Sequence, residues 1–112
     1  MYLPNHENAI ADIAKLRDYC LNPNHPVGKH KAAVFLSALG FNQSDAERLQ
    51  KTVLEAAQSD QAVLGERDDF GQRYQLDFVV VGPKGLVNIR TAWIILQNET
   101  VPRLATAYVL TR

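Results

Sequence analysis

Residues 74–96, YQLDFVVVGPKGLVNIRTAWIIL, decide the fold, because they predict two strands joined by a tight turn. Residues 74–81 and 86–96 are rich in β-branched and aromatic side chains, and the glycines and proline of residues 82–85 are typical of a hairpin turn. Alternation along the second strand places an apolar set on one face: Val87, Ile89, Thr91, Trp93 and Ile95. Arg90 therefore lies in the middle of the strand on the other, less apolar face.

The flanking sequence adds two strands after residue 59 and three helices before it. The predicted strands cover residues 61–66 and 103–110, the latter with Leu104, Thr106 and Tyr108 on one face. Helical spacing of apolar residues predicts the helices at about 8–20, 29–39 and 44–57. The fold class is thus α+β, with about three N-terminal helices packed on a four-stranded antiparallel meander. We expect a single domain, residues 1–112, with a helical half at 1–58 and a sheet half at 59–112.

Composition limits the classes of function. The chain has 112 residues, is 46% hydrophobic and 21% charged, and carries 12 basic and 12 acidic residues, so its formal net charge is zero. A neutral chain is not a strongly basic nucleic-acid binder, although a local basic patch stays compatible with it. The single cysteine, Cys20, allows no intramolecular disulfide and is expected to be a buried small hydrophobe. No apolar run is long enough for a membrane span and no signal-peptide pattern is present, so we expect a cytoplasmic protein without membrane contact.

The stretch 25–31, HPVGKHK, crowds positive charge at the start of the second helix. Either Pro26 is the first helical residue, or Gly28 is the cap and Lys29 starts the helix. Both alternatives place Lys29, His30 and Lys31 near the first turn, where a cation costs roughly 0.3–1 kcal/mol because of the helix dipole. Free N–H groups and these side chains could converge on a phosphate or carboxylate. The alternative is a set of solvated surface side chains, with His25 supporting the turn.

The third helix has its own start signal. Ser44 and Glu47 have the spacing of a capping box, in which each side chain bonds the backbone of the other residue. We therefore expect the helix to begin at Ser44.

Metal and nucleotide motifs are missing from the sequence. It has no Walker loop, GxGxxG, HExxH or CxxC pattern, and His25 and His30 are five residues apart, which is not a helical metal-pair spacing. We expect no metal and no cofactor.

Phosphodiester chemistry is the best fit to the remaining polar side chains. Metal-free RNA cleavage needs a base, an acid and cations that stabilise the charged phosphorane. The residues assigned to catalysis are His25, His30, Arg90 and Tyr108. Those assigned to phosphate binding are Lys29, Lys31, Arg73 and Arg103. The alternative for the strand arginines is an ion pair with Asp77, Glu66 or Glu99. The alternative for Tyr74 and Tyr108 is a place at the rim of the core.

Several motifs together resemble a known family. They are Leu3-Pro4-Asn5, KLRDY at 15–19, HPxGKHKA at 25–32, GQRY at 71–74, RTAWI at 90–94, and PRL at 102–104 followed by YVL at 108–110. They are similar to a family of small bacterial proteins, frequent in cyanobacteria, that is catalogued as a domain of unknown function. The order of helices and strands also resembles the barnase–EndoU–colicin–RelE group of metal-free ribonucleases, which includes many toxins. That second resemblance concerns architecture, and the neutral charge departs from it.

Two functions follow as hypotheses. The first is a metal-independent endoribonuclease that acts as the toxin of a toxin–antitoxin pair, with RNA as substrate and a cognate antitoxin or another small protein as partner. The second is a non-catalytic adaptor that binds a protein or an anion with the same basic residues. A small-molecule enzyme stays open as a third class.

Overall fold

A computed structural model describes residues 1–111, and its architecture is α+β as predicted. Helices precede a four-stranded antiparallel sheet. The first helix, α1, spans Ile13–Lys15 and continues as a π-helical turn at Leu16–Cys20. The other helices are α2, Lys29–Leu39, and α3, Ala46–Ala56. The strands are β1, Ala62–Asp68, β2, Gly71–Gly82, β3, Gly85–Leu96, and β4, Arg103–Val109.

The sheet is the predicted meander, with the strand order β1-β2-β3-β4. β2 and β3 pair without interruption from Gly82 opposite Gly85 to Gly71 opposite Leu96. Only Pro83 and Lys84 separate the paired ends, so the hairpin turn lies where the sequence predicted it.

One face of the sheet packs on the helices and the other is open. Ile89, Thr91 and Trp93 are buried, as the alternation predicted. The Thr91 hydroxyl donates to the Leu76 carbonyl at 2.6 Å and accepts from the indole Nε1 of Trp93 at 2.8 Å. These bonds satisfy the polar groups that this face brings into the core. On the opposite alternation Arg90 and Ala92 are partly exposed, whereas Ile94 is covered.

The predicted alternation along β4 is wrong. The buried residues of this strand are Leu104, Ala107 and Val109, and the pairing register shifts between Ala92 and Trp93. Such an irregularity adds one residue to a strand and reverses the faces that follow it. Tyr108 therefore lies on the other face of the sheet from Leu104. It is opposite Arg90, on the open face.

The first helix is shorter than predicted. The Ile10 amide donates to the Pro102 carbonyl at 2.9 Å, and the Leu104 amide donates to the Ile10 carbonyl at 2.8 Å. Residue 10 thus runs beside the β4 edge, and the helix starts only after Asp12, whose side chain accepts from the Ala14 amide. The amide and carbonyl of Ile10 are therefore bonded to the edge of the sheet and are not available for a longer helix.

The other helix boundaries agree closely with the sequence. Gly28 caps α2 and Lys29 starts it, which decides between the two alternatives, and Gly40 ends it with a φ of 72°. The capping box before α3 is formed by Asn42 and Asp45, and the predicted Ser44–Glu47 pair is wrong. Asn42 Oδ1 accepts from the Ser44 amide at 2.9 Å, so Ser44 lies inside a short 3₁₀ turn that precedes the helix.

Candidate functional site

Asp77, Arg90 and Tyr108 form a row across the open face of β2, β3 and β4. The register pairs Asp77 with Arg90 and Arg90 with Tyr108. Arg90 donates from Nε and Nη2 to the two Asp77 carboxylate oxygens, at 3.0 Å each. Asp77 raises the pKa of Arg90 above its ordinary value, and the Tyr108 hydroxyl adds to that effect. The guanidinium is therefore a permanent cation beside a phenol.

Lys31 brings a second cation to Tyr108 from α2. Its ammonium nitrogen lies 5.6 Å from the centre of the Tyr108 ring and 4.9 Å from that of Tyr19. The same nitrogen donates to the Tyr19 hydroxyl at 2.7 Å. A cation at such distances is attracted by the aromatic rings, which hold it in place. Lys31 and Arg90 therefore both lie beside Tyr108.

His25 closes the start of α2. Its Nδ1 accepts from the amides of Val27 at 3.0 Å and Gly28 at 2.9 Å, and its carbonyl accepts from the Lys29 amide at 3.1 Å. Since Nδ1 is an acceptor, the proton of the neutral ring is on Nε2. Three amides that the sequence offered to an anion are thus bonded within the chain. The ring also contacts Tyr19 edge-on, with centroids 4.9 Å apart.

Gly28 lets the start of α2 approach Tyr19. A Cβ built on Gly28 would lie 2.1 Å from the Tyr19 carbonyl oxygen, a distance at which real atoms clash. Only glycine fits this approach. The GKHK motif and Tyr19 are therefore parts of one packed unit.

Arg73 and Arg103 form a second row on the open face, with Ile94 between them. Arg73 Nε donates to Asp68 at 2.6 Å, and Arg103 donates from Nε and Nη2 to Glu99 at 2.6 and 2.9 Å. The guanidinium of Arg73 lowers the pKa of Asp68, and that of Arg103 lowers the pKa of Glu99. The predicted alternative of ion pairing is thus confirmed for Arg90 with Asp77 and for Arg103 with Glu99.

The structure brings together part of the predicted set. Arg90, Tyr108 and Lys31 are neighbours, and His25 reaches them through Tyr19. Lys29 and His30 are exposed in the first turn of α2, and among residues 1–111 their side chains have no hydrogen-bond or ion-pair partner. Tyr19 was not predicted as a site residue. The sequence feature that could have indicated it is its place in the KLRDY motif at 15–19, which is close to the basic HPxGKHKA motif at 25–32.

Three further observations concern other classes of site. Burial raises the pKa of the Cys20 thiol, and the residue is buried as predicted. Among residues 1–111, no three histidine, cysteine or acidic side chains group as metal ligands would. None of the helices described for these residues has the length and apolarity needed to cross a bilayer.

Comparison with known proteins establishes the family. The model of a family described as a domain of unknown function, DUF6883, matches residues 2–111. The chain belongs to this family. The predicted membership in a family of unknown function is thereby confirmed. No curated protein matches the chain.

The fold of this chain is similar to that of a chain in a solved structure. It is described as a contact-dependent growth inhibition toxin–immunity protein complex from Klebsiella pneumoniae 342. The matched chain is 16% identical, with a TM-score of 0.66, and the match covers 96% of this chain and 97% of that one. At this identity the likeness concerns the fold alone, which is shared over nearly the whole of both chains.

Proposed function

We propose that this protein is a metal-independent ribonuclease whose activity a partner protein restrains, as the toxin of a toxin–antitoxin pair. The observation that carries the proposal is the position of Tyr108 between two cations, Lys31 and Arg90, on the open face of the sheet. The fold shared with a chain of a toxin–immunity protein complex supports a part in such a pair.

The two cations match the charge that develops in RNA cleavage. When the 2′-oxygen bonds to phosphorus, negative charge builds on the non-bridging oxygens before the bond to the 5′-oxygen breaks. An ammonium and a guanidinium that are already held in place stabilise that charge without reorganisation. Arg90 keeps this capacity although it is paired, because Asp77 uses two of its five N–H donors.

Proton transfer is assigned to His30 and Tyr108. His30 is exposed in the same turn as Lys31, and its imidazole is assigned as the base that takes the proton of the 2′-hydroxyl. The Tyr108 hydroxyl can give a proton to the leaving 5′-oxygen. The balanced products are a 2′,3′-cyclic phosphate and a 5′-hydroxyl. His25 is assigned to support of the site, since its Nδ1 is committed to two amides.

The remaining cations of the predicted set are assigned to substrate binding. Lys29 is exposed beside His30, and Arg73 and Arg103 lie on the same open face as Arg90. These positions suit contacts with phosphates that flank the cleaved bond.

The decisive experiment is RNA cleavage by the purified protein in excess EDTA. We expect cleavage by the wild type and a loss of at least about 10²-fold in the rate for Lys31→Met, Tyr108→Phe and His30→Ala. Lys51→Met is the matched control, because Lys51 is exposed on α3 and lies outside the site. Absence of cleavage by the wild type, or full activity in all three variants, would contradict the proposal.

A non-catalytic adaptor is the second candidate, and the ion pairs favour it. Arg73, Arg90 and Arg103 each have a carboxylate partner, so none is an unpaired cation in the free protein. Overproduction in a bacterial host separates the two functions. A toxin should arrest growth, and the Tyr108→Phe variant should relieve that arrest. Normal growth with abundant folded wild type would favour the adaptor.

A further inference from the structure

A second feature of the open face is an exposed aromatic residue in a groove lined with cations. Phe70 lies in the turn between β1 and β2 with 68% of its surface exposed. It lines a groove of about 360 Å³ whose walls are apolar and basic. The apolar lining includes Ile94 and Leu96, and the basic lining is Lys15, Arg73 and Arg103.

The turn that carries Phe70 is fixed by hydrogen bonds. Asp68 Oδ1 accepts from the Phe70 amide at 2.9 Å and from the Gly71 amide at 3.3 Å. The Phe70 carbonyl accepts from the Gln97 amide at 3.1 Å, and the Gln97 side chain donates to the Asp69 carbonyl at 2.6 Å. The ring is therefore presented to solvent from an ordered backbone, which lowers the entropic cost of stacking a ligand on it.

The arginines of the groove keep free donors. Only Nε of Arg73 bonds Asp68, and the side-on pair of Arg103 with Glu99 occupies Nε and Nη2. An arginine has five N–H donors, so each of the two can still contact a phosphate. The two arginines are two strands apart, roughly 9–10 Å, with the apolar Ile94 between them.

On the sheet, uncharged positions separate the groove from the row of Asp77, Arg90 and Tyr108. On β2, Arg73 and Asp77 are four residues apart, which is roughly 13 Å along the strand. The positions between the two rows are Gln75, Ala92 and Thr106, and none of them is charged. A strand of nucleotides could follow this path from the groove to Tyr108.

We infer that the groove binds an unpaired nucleotide of the RNA substrate, with a base stacked on Phe70 and the adjacent phosphates held by Arg73, Arg103 and Lys15. This inference rests on the proposed function and makes single-stranded RNA the substrate class. Every base has an aromatic face, so a stacking ring in a cationic groove binds single strands with little sequence preference. A base in a duplex is stacked already and cannot use Phe70.

The test measures binding separately from cleavage. A fluorescent single-stranded oligonucleotide with 2′-O-methyl groups cannot be cleaved through its 2′-oxygen, and its affinity is measured by anisotropy. We expect Phe70→Ala to weaken binding about tenfold or more, and Phe70→Trp to restore it. Val81→Ala is the matched control, because Val81 is 83% exposed on the same face and outside the groove. With cleavable RNA, Phe70→Ala should raise KM and leave kcat unchanged.

The outcomes distinguish this inference from the proposed function. Wild-type affinity in Phe70→Ala, no binding by the wild type, or equal competition by duplex RNA would overturn the groove as a single-strand site. Binding that depends on Phe70, together with no cleavage of natural RNA, would overturn the ribonuclease and leave the groove as a single-strand binding site. Cleavage of RNA with the same KM in the wild type and in Phe70→Ala would overturn the groove as the binding site and leave the ribonuclease.

Discussion

The ammonium nitrogen of Lys31 donates a 2.7 Å hydrogen bond to the hydroxyl of Tyr19, twelve residues earlier in the chain. This bond ties the first turn of α2 to the π-helical turn that follows α1. It also fixes the distance between Lys31 and the Tyr108 ring, because the ammonium lies between the two aromatic side chains.

Tyr19→Phe should show whether the site needs Lys31 to be held in a fixed position, because the variant keeps Lys31 but removes the hydroxyl that accepts its hydrogen bond. The ring and its packing stay, while the ammonium loses its acceptor, so the free energy of unfolding should fall by only about 0.5–1.5 kcal/mol. Loss of a fixed position should lower kcat for RNA about tenfold or more. Denaturation and single-turnover cleavage measure the two effects, with Tyr2→Phe as control, since Tyr2 stacks on His6 and not on Lys31. An unchanged kcat would show that this bond does not position the site.

Gly28→Ala should destabilise the contact between the start of α2 and the π-helical turn that carries Tyr19. Its Cβ would lie 2.1 Å from the Tyr19 carbonyl oxygen, so α2 must move away from the π-helical turn. We expect a loss of roughly 1–3 kcal/mol of unfolding free energy. Gly40→Ala provides the comparison, because its Cβ meets nothing within 4 Å and its cost comes only from a φ of +72°. A smaller loss for Gly28→Ala than for Gly40→Ala in urea denaturation would contradict this account.

The sequence predicted the elements well where a local signal decides them. The β2–β3 hairpin has glycine and proline at its turn and alternating apolar residues on both sides, and α2 has glycine at each end. These signals are short-range, so the bounds of both elements could be read without tertiary information. The ion pairs of Arg90 and Arg103 could likewise be anticipated as the alternative, because carboxylates occur close by in sequence or in the predicted register.

The candidate site was harder to predict because two irregularities build it. The register shift in β4 moves Tyr108 to the face of Arg90, and a period of two residues contains no sign of such a shift. The π-helical turn at Leu16–Cys20 places Tyr19 beside Lys31, whereas a regular helix was expected there. The phosphate site expected at the start of α2 depended on free amides, and His25 accepts from three of them, two at Nδ1 and one at its carbonyl.

Acid should destabilise the protein through two carboxylates of the open face. Arg73 lowers the pKa of Asp68 below its ordinary 3.8, and Arg103 lowers the pKa of Glu99 below its ordinary 4.5. The unfolded chain therefore binds more protons between the unfolded and folded pKa values, and stability rises with pH there. The contribution is complete above about pH 5 and is lost as the pH falls through the folded values.

A double variant, Asp68→Asn with Glu99→Gln, tests the origin of this acid dependence. It should have a flatter curve of unfolding free energy against pH below 5 than the wild type, measured by urea denaturation at each pH. Asp60→Asn with Glu47→Gln is the control, because the carboxylates of Asp60 and Glu47 have no arginine partner among residues 1–111. An equal slope for the wild type and the first variant would remove the assigned role of the two ion pairs.

Variants of Thr91 should show how much its buried hydroxyl stabilises the core beneath the site. It is fully buried, donates to the Leu76 carbonyl and accepts from the indole of Trp93, the only tryptophan in the chain. Thr91→Val keeps the shape but leaves the indole N–H without a partner, which should cost about 1–3 kcal/mol of unfolding free energy. Thr91→Ser keeps the hydroxyl and should preserve the tryptophan emission maximum, whereas Thr91→Val should shift it. If both variants left the emission unchanged and Thr91→Val were as stable as the wild type, the hydroxyl would not be the partner on which the Trp93 indole depends.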